Sequence, residues 1–396
     1  MKNYFFFFQN FFRVRKIYSR VLYFFTINNY FKKKNTIKKS LLVYSNEYFL
    51  IGETFNQIIN FRSFLIAKEM DKYGYQVDII DYRNPLISLF LNKIKKKKYD
   101  VILYHGKNFH KLFSNLNLNS TYLVYLSTGL QPDYLNKKIK QRIDYLKKRK
   151  HLNNIEIETG FEKKTLSHLQ SSDIILTAEI RRKKELERNF NKVIFTYNQF
   201  PFDNIKYIER NFDKSKKNFL FYSSGTQIAK GLDILLDVFS NKDNVNLYIS
   251  SFYENEKKFK KIYKNELFNK KNIFPCGFNN VNTNNFKKLI SNCLFVICPT
   301  VTEGQPGSII NCLASGMIPI VPDDCNFENI NKYGFSISPN IKEINSTLEK
   351  IDKLDNKILM SMSQKSFKNT TQFYSKNNFE KNISKMIKYI IKNPKS

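Results

Sequence analysis

Short apolar runs, each too short for a core helix and several ending in Gly or Ser, return along this chain at regular intervals and constrain its fold more than any other feature. The first series reads "SLLVYS" (40–45), "YQVDIIDY" (75–82), "YDVILYHG" (99–106), "TYLVYLSTG" (121–129), "SSDIILTAEI" (171–180) and "KVIFTYNQF" (192–200). Between the first two, Phe61, Phe64, Leu65 and Met70 fall at helical spacing, and Gly74 supplies the turn into the next run. Strand, loop, helix, strand, repeated, predicts a parallel sheet with crossover helices. The alternation lapses over "NQFPFDNIKYIERNFDKSKKN" (198–218) and then resumes with "FLFYSSG", "VNLYISS", "NIFPCGF", "LFVICPT" and "MIPIVPDD", interleaved with the helical runs "GLDILLDVFS" and "NFKKLISN". At 396 residues the chain suits two domains. The expected division is an N-terminal segment at 1–39, an α/β domain at 40–200, a linker at 201–217, a second α/β domain at 218–370 and a C-terminal helix at 371–396. Two open sheets in tandem set the carboxyl ends of their strands across a cleft, where ligands of such sheets bind.

A formal charge of +32 raises the question of nucleic acid or an anionic membrane as partner. The lysines are dispersed along the whole chain, in a sequence crowded with Lys, Asn, Ile, Phe and Tyr and lacking Trp. A general compositional bias explains that better than a recognition face for nucleic acid. The five cysteines (Cys276, Cys293, Cys298, Cys312, Cys325) form no CxxC pair and read as buried, reduced thiols of a cytoplasmic protein. The four histidines make neither HExxH nor an i, i+4 pair, so a metal site is not expected. Residues 1–39 are aromatic and basic. Their charge-free stretches are about half the length of a spanning helix and no small-residue cleavage site follows. Such a segment suits the plane of an anionic bilayer, with Phe at the acyl boundary and Lys and Arg on headgroups. The alternatives are a helix packed on the protein's own surface or a poorly ordered leader.

Two stretches of the second series carry chemistry. In "FLFYSSGTQIAKGLDILLDVF" a strand runs into a turn at Ser223–Gly225, and Lys230 and Gly231 open a periodic helix. A lysine beside a helix N-terminus adds a point charge to free N–H groups and suits a diphosphate. In "LFVICPTVTEGQPGSIINCLASGMIPIV" a strand ends at Pro299 and Glu303 stands in the loop beyond. After Gly304 and Gln305, Pro306 and Gly307 let the backbone approach a ligand closely, and Ser308 starts a helix. Glu303 can accept hydrogen bonds from sugar hydroxyls, and Asn311, two turns further on, is expected to face the same cleft. The bland alternatives are a solvated lysine and an acid that only offsets a helix dipole.

With these residues the second half resembles a retaining glycosyltransferase of the GT-B fold, similar to glycosyltransferase family 4 (glycosyl transferases group 1), in a divergent branch. The resemblance rests on "KGLDILL", on Gly277 and Phe278 of "NIFPCGF", on "CPTVTEGQPGSIINCLASGMIPIV", on "YGFSISP" and on "SKNNFEKNISKMIKYI", covering roughly 219–391. It implies two Rossmann-like domains, the first for acceptor and the second for donor, with the last helix crossing back to the first. It implies that Lys230 binds the donor diphosphate, that Glu303 contacts the donor sugar, and that backbone from Gln305 to Ser308 holds sugar and phosphate. The acid that reads the ribose hydroxyls falls at Asn311, which lacks the charge. An arginine that commonly assists the lysine is missing from "SSGTQIAKG". The histidine of many members falls at Ser127–Thr128, beside Gly129, which leaves His105 as the candidate. Gly52 resembles a glycine loop near the donor phosphates.

The resemblance thus implies an enzyme; the reduced thiols make the expected location cytoplasmic, and the basic leader makes it peripheral on the inner face of a membrane. It would transfer a sugar from a nucleoside diphosphate sugar to a glycan or lipid-linked acceptor in surface polysaccharide synthesis. No metal or other cofactor is expected beyond that donor. The alternative is a GT-B-fold scaffold that has lost catalysis.

Overall fold

The computed structural model describes residues 21–34, 36–52, 58–106, 118–152 and 166–395, with Phe109 and Phe113. Residues 1–20 of the expected leader at 1–39 lie outside them.

The first domain is built on β1 (Thr26–Ile27), β2 (Lys39–Tyr44), β3 (Gln76–Asp81), β4 (Val101–Tyr104), β5 (Tyr122–Ser127), β6 (Ile174–Thr177) and β7 (Val193–Thr196), in the order β1-β3-β2-β4-β5-β6-β7. Every pairing is parallel except β1 with β3. The central strands are continuous apolar runs because helices cover both faces, and β2, β4 and β6 are buried almost throughout. The second sheet comprises β8 (Asn218–Tyr222), β9 (Asn246–Ser250), β10 (Ile273–Pro275), β11 (Phe295–Ile297), β12 (Ile318–Val321) and β13 (Phe335–Ser336). All its strands are parallel, in the order β10-β9-β8-β11-β12-β13. Its direction of winding reverses between β8 and β11, which makes the space beyond their carboxyl ends a switch-point crevice. In the first sheet the reversal falls between β2 and β4.

The helices that bear on the site are numbered here in chain order: α1 (Glu47–Ile51), α2 (Ile58–Lys72), α3 (Pro132–Lys150), α4 (Ser167–Gln170), α5 (Gln227–Lys230), α6 (Leu232–Phe239), α7 (Gly307–Ala314), α8 (Asn356–Phe373) and α9 (Lys376–Lys392). Helix α9 starts at the Ser375 cap, whose hydroxyl accepts from the Asn378 amide. Its Phe379, Ile383, Met386, Ile387 and Ile390 follow helical spacing and are buried in the first domain's core with Leu65, Ile66 and Met70 of α2.

Two features differ from the expectations. Residues 21–34 and 36–39 are not a separate leader. Strand β1 extends the first sheet, Leu22 is buried, and Asn46 donates from Nδ2 to the carbonyls of Leu22 and Phe25. A two-residue antiparallel edge strand has too little periodicity to be read from sequence. Of the five free thiols, Cys276 is exposed beyond β10, and the other four are buried as expected.

Candidate functional site

A cavity of about 580 Å3 opens between the carboxyl ends of the two sheets. Its second-domain wall is formed by Ser224, Gly225, Thr226, Ala229, Lys230 and Thr302. These residues follow β8 and β11, the two strands at the switch point. The first-domain wall includes His105 and Gly106 after β4, Tyr125, Ser127, Thr128 and Gly129 at the end of β5, Gln131, Leu135 and Ile139 entering α3, and His168 on α4.

Lys230 does not open the long helix. It ends the single turn α5, and Gly231, at φ +89°, breaks the chain before α6 begins at Leu232. Only a residue without Cβ sits easily there. An added Cβ would stand 2.5 Å from the Pro299 carbonyl oxygen and 2.8 Å from Nη2 of Arg142. The turn is fastened to the loop after β11: the Val301 amide donates to the Ala229 carbonyl at 2.9 Å, and Cys298 Sγ lies 3.7 Å from the Lys230 carbonyl. This brings Lys230 Nζ onto the Glu303 carboxylate as an ion pair. Burial pushes the Lys230 ammonium down, to about 8, while the Glu303 carboxylate beside it favours the charged form. Glu256, which sequence reasoning passed over, places both carboxylate oxygens 3.0 Å from the Gln227 amide at the start of α5. That helix N-terminus already holds an anion of the protein's own, so the positive charge offered to a bound anion falls to Lys230.

Beyond Glu303 the loop turns toward the first domain and the hinge. Gly304 packs against Glu179 and Leu130, which an added Cβ would meet at 3.4 and 3.7 Å. Gln305 is buried. Its side chain accepts from the Gln199 amide and donates to Asn198 Oδ1 at 3.0 Å, both in the chain that leaves β7 for the second domain (197–217), the hinge. Pro306 caps α7, and Gly307 and Ser308 lie half-buried in its first turn, whose leading amides lack intrahelical partners. Asn311 does not line the cavity. Its Oδ1 accepts from the Phe202 amide at 3.0 Å, because α7 turns that face toward the chain crossing between the domains. Gly52 is also away from the cavity: it caps α1 at φ +69°, and 53–57 lie outside the described residues.

On the opposite wall, the His105 ring places Nδ1 2.9 Å from the Leu126 carbonyl and stands edge-on to Tyr44 and Tyr82. That contact makes Nδ1 the protonated nitrogen and turns Nε2 away from Leu126. His168, not singled out from sequence, is buried against Tyr125 with ring centroids 4.6 Å apart.

Helix α3 joins the walls. Leu135, Ile139 and Ile143 pack with Ala229 and Val301, and Leu146 enters the second domain's core. Arg142, almost fully buried, donates from Nη2 to the Pro299 carbonyl at 2.5 Å and from Nη1 to the Pro339 carbonyl at 2.8 Å, with Asp233 3.9 Å from Nε. Arg149 pairs with Asp233 and Asp237, and Lys150 with Asp237 and Glu266. Burial holds the Arg142 guanidinium below its usual range, against the pull of Asp233. Burial likewise pushes the Glu179 carboxyl up, to about 7, although Arg182 donates to it at 3.0 Å. Among the described residues no three His, Cys, Asp or Glu are gathered as metal ligands, and no helix is long and apolar enough to cross a membrane.

Residues 203–373 match the family described as glycosyl transferases group 1. Three solved structures of similar architecture are TarM from S. aureus, sucrose-phosphate synthase from Thermosynechococcus elongatus and HepE from Anabaena. TarM, in complex with fondaparinux, alpha-GlcNAc-glycerol and UDP, is 17% identical at a TM-score of 0.55, covering 77% of this chain and 58% of its own. The chain therefore spans little more than half the length of that protein. The synthase is 9% identical at 0.65, covering 90% of this chain and 99% of its own. HepE, in complex with UDP-glucose, is 12% identical at 0.56, covering 89% and 99%. At such identities the likeness is one of fold, and that fold is GT-B. No curated protein matches the chain in sequence.

Proposed function

We propose that this chain, a divergent glycosyltransferase of the GT-B fold with a glycosyl transferases group 1 domain at residues 203–373, transfers a sugar from a nucleoside diphosphate sugar to a glycan or lipid-linked acceptor. The observation that carries the reading is Lys230, which lines the cavity at the switch point and is paired there with Glu303, next in the chain to the lining residue Thr302, on loops that follow the adjacent strands β8 and β11. In the unliganded protein the two side chains satisfy each other. When donor enters, the ammonium turns to the diphosphate and Glu303 is released to accept from sugar hydroxyls. Lys230 then stabilises charge as it develops on the leaving diphosphate, without a metal in the scheme. The first amides of α7 and the backbone from Gly304 to Ser308 lie along the same loop and can hold the sugar and its phosphate. The acceptor enters along the wall of His105, Ser127, Thr128 and Gly129. Retention of configuration, a role in surface polysaccharide synthesis, a cytoplasmic location and peripheral contact with an anionic membrane belong to the same proposal.

The test is release of nucleoside diphosphate from a panel of nucleotide sugars, with uridine diphosphate sugars first because the TarM and HepE structures hold UDP and UDP-glucose. Release by the wild type that Lys230→Ala abolishes supports the reading. A second reading, a scaffold that binds without turnover, is favoured by Asn311, whose acceptor oxygen is taken by the hinge. It predicts nucleotide binding with no release from any donor.

A further inference from the structure

Among the described residues four cationic side chains are buried: Arg62, Arg142, Arg210 and Lys230. Three of them are answered within the protein. Lys230 has Glu303, and Arg142 has Asp233 and two carbonyls. Arg210 donates to the carbonyls of Ile208, Ile290, Cys293 and Ser315 and to the Ser315 hydroxyl. Arg62, on α2, is different. Its one hydrogen bond among the described residues runs from Nη1 to the Tyr197 phenol oxygen at 3.1 Å, and its Nε is buried without a partner. The groups that bear on its charge are the phenols of Tyr44 and Tyr197, not a carboxylate. Burying a guanidinium without a counter-charge is costly, and water on its spare N–H groups would leave the charge in place. Such a group is a candidate for use in function.

The guanidinium lies behind the first-domain wall of the cavity. Tyr197 follows β7, is fully buried, and donates its hydroxyl to the Ser127 carbonyl at 3.2 Å. Ser127 ends β5 and lines the cavity, so Arg62 stands two hydrogen bonds from a lining residue. The Tyr44 phenol, at the end of β2, feels the same cation. Its hydroxyl is buried without a partner, and its ring stands edge-on to the lining residue His105, centroids 5.5 Å apart. Tyr44 ends β2 and His105 follows β4, the two strands at which the first sheet reverses. The cluster therefore sits at that sheet's switch point, where ligands of such sheets bind. Among the described residues no Asp or Glu lines the cavity, and the lining cation Lys230 is already paired with Glu303. An uncompensated cation in a low-dielectric wall raises the potential of the space beside it.

We infer that Arg62 sets the charge preference of the acceptor subsite: the acceptor carries a phosphate or carboxylate, drawn to the wall of His105 and Ser127 by the cation behind it. This rests on the proposed function and narrows its acceptor to an anionic sugar or glycan. Arg62 does not touch the acceptor. It determines specificity through its field and through Tyr197, which ties it to the wall. An arginine suits the task because its charge persists on burial. A neutral acceptor would draw nothing from the cation, and the fold would carry its cost without return.

The experiment is calorimetric titration of the full chain, saturated with the nucleoside diphosphate it binds, with glucose 6-phosphate, glucuronate and glucose, which differ only at the sixth carbon. The wild type is expected to bind one of the two anions at least tenfold more tightly than glucose, and which one it is tells phosphate from carboxylate. Arg62→Met should bring that ratio close to one. Arg62→Gln, which can still donate to Tyr197 but has no charge, should do the same, with nucleotide affinity unchanged in both. Melting curves separate this role from a structural one. Removing an uncompensated buried charge should leave the Tm of Arg62→Met equal to the wild type's or above it. A lower Tm would give the arginine to the fold and overturn the assignment. So would a wild type that binds the three probes alike or binds none, or a variant that keeps the preference. Absence of nucleotide binding would sink the proposed function and this inference with it, whereas bound nucleotide without charge preference sinks this inference alone.

Discussion

Lys230, paired with Glu303, stands on one wall of the cavity and His105 and His168 on the other, and the two walls are made differently. The second-domain wall is fixed through the main chain: the Val301 amide donates to the Ala229 carbonyl, and Gly231 is pressed on Pro299. The first-domain wall presents side chains from the ends of two strands, from the first turns of α3 and from the one-turn helix α4. The difference suits the proposed division of labour. A diphosphate is the same in every donor and is served by fixed turns and one cation. Acceptors differ, and a wall of side chains can change without disturbing the sheet beneath.

The sharpest way to break this comparison is Lys230→Ala. Transfer is expected to fall on the order of a hundredfold or more, with thermal stability nearly unchanged, in a donor-hydrolysis assay beside a melting curve. Because burial lowers the ammonium to about 8, nucleotide affinity of the wild type should also decline as pH rises through that value. Gly231→Ala probes whether backbone alone carries the wall. The left-handed conformation costs about 1–3 kcal/mol for a side chain, and the collision with Pro299 and Arg142 adds to it. A lower Tm and weaker nucleotide binding should appear together.

Arg142→Met separates the walls without touching the cavity. Its partners Pro299 O, Pro339 O and Asp233 lose a buried donor, at about 3 kcal/mol measured by denaturant unfolding. Arg149→Ala on the same helix should lower stability while leaving donor KM near wild type. Asn311→Ala orphans the Phe202 amide and should cost about 1–3 kcal/mol with little effect on donor KM. A large rise in KM would instead restore Asn311 to the ribose.

A pH-dependent effect concerns Glu179. Its carboxyl titrates near 7 in the folded protein against an ordinary 4.5, so between those values the folded state binds more protons. Stability should be greatest below about 4.5, fall as pH rises to about 7, and level off above. Glu179→Gln should flatten that slope in melts across the range.

Much of the fold was legible because parallel strands buried on both faces are unbroken apolar runs, and six such runs in "SLLVYS" to "KVIFTYNQF" are β2 to β7. Lys230 and Glu303 stood out because a glycine follows each and a strand precedes each. What sequence could not carry was the third dimension of α3. Its basic end, "KKRK", reads as a solvated face, yet Arg149 and Lys150 meet acids of the other domain, and Arg142 reaches a carbonyl 157 residues away. Asn311 was placed by helical spacing alone, which fixes the turn but not which neighbour that turn meets. His168 has no local pattern, and only the packing of α4 under β5 brings it to the cavity.

The most direct test of the central claim is calorimetric titration of wild type and Lys230→Ala with uridine, guanosine and adenosine diphosphates. The account predicts binding of one of them by the wild type and at least a tenfold loss in the variant, with enthalpy falling away above about pH 8. Equal affinity in the two proteins, or binding by neither, would contradict a donor site built on Lys230 and Glu303.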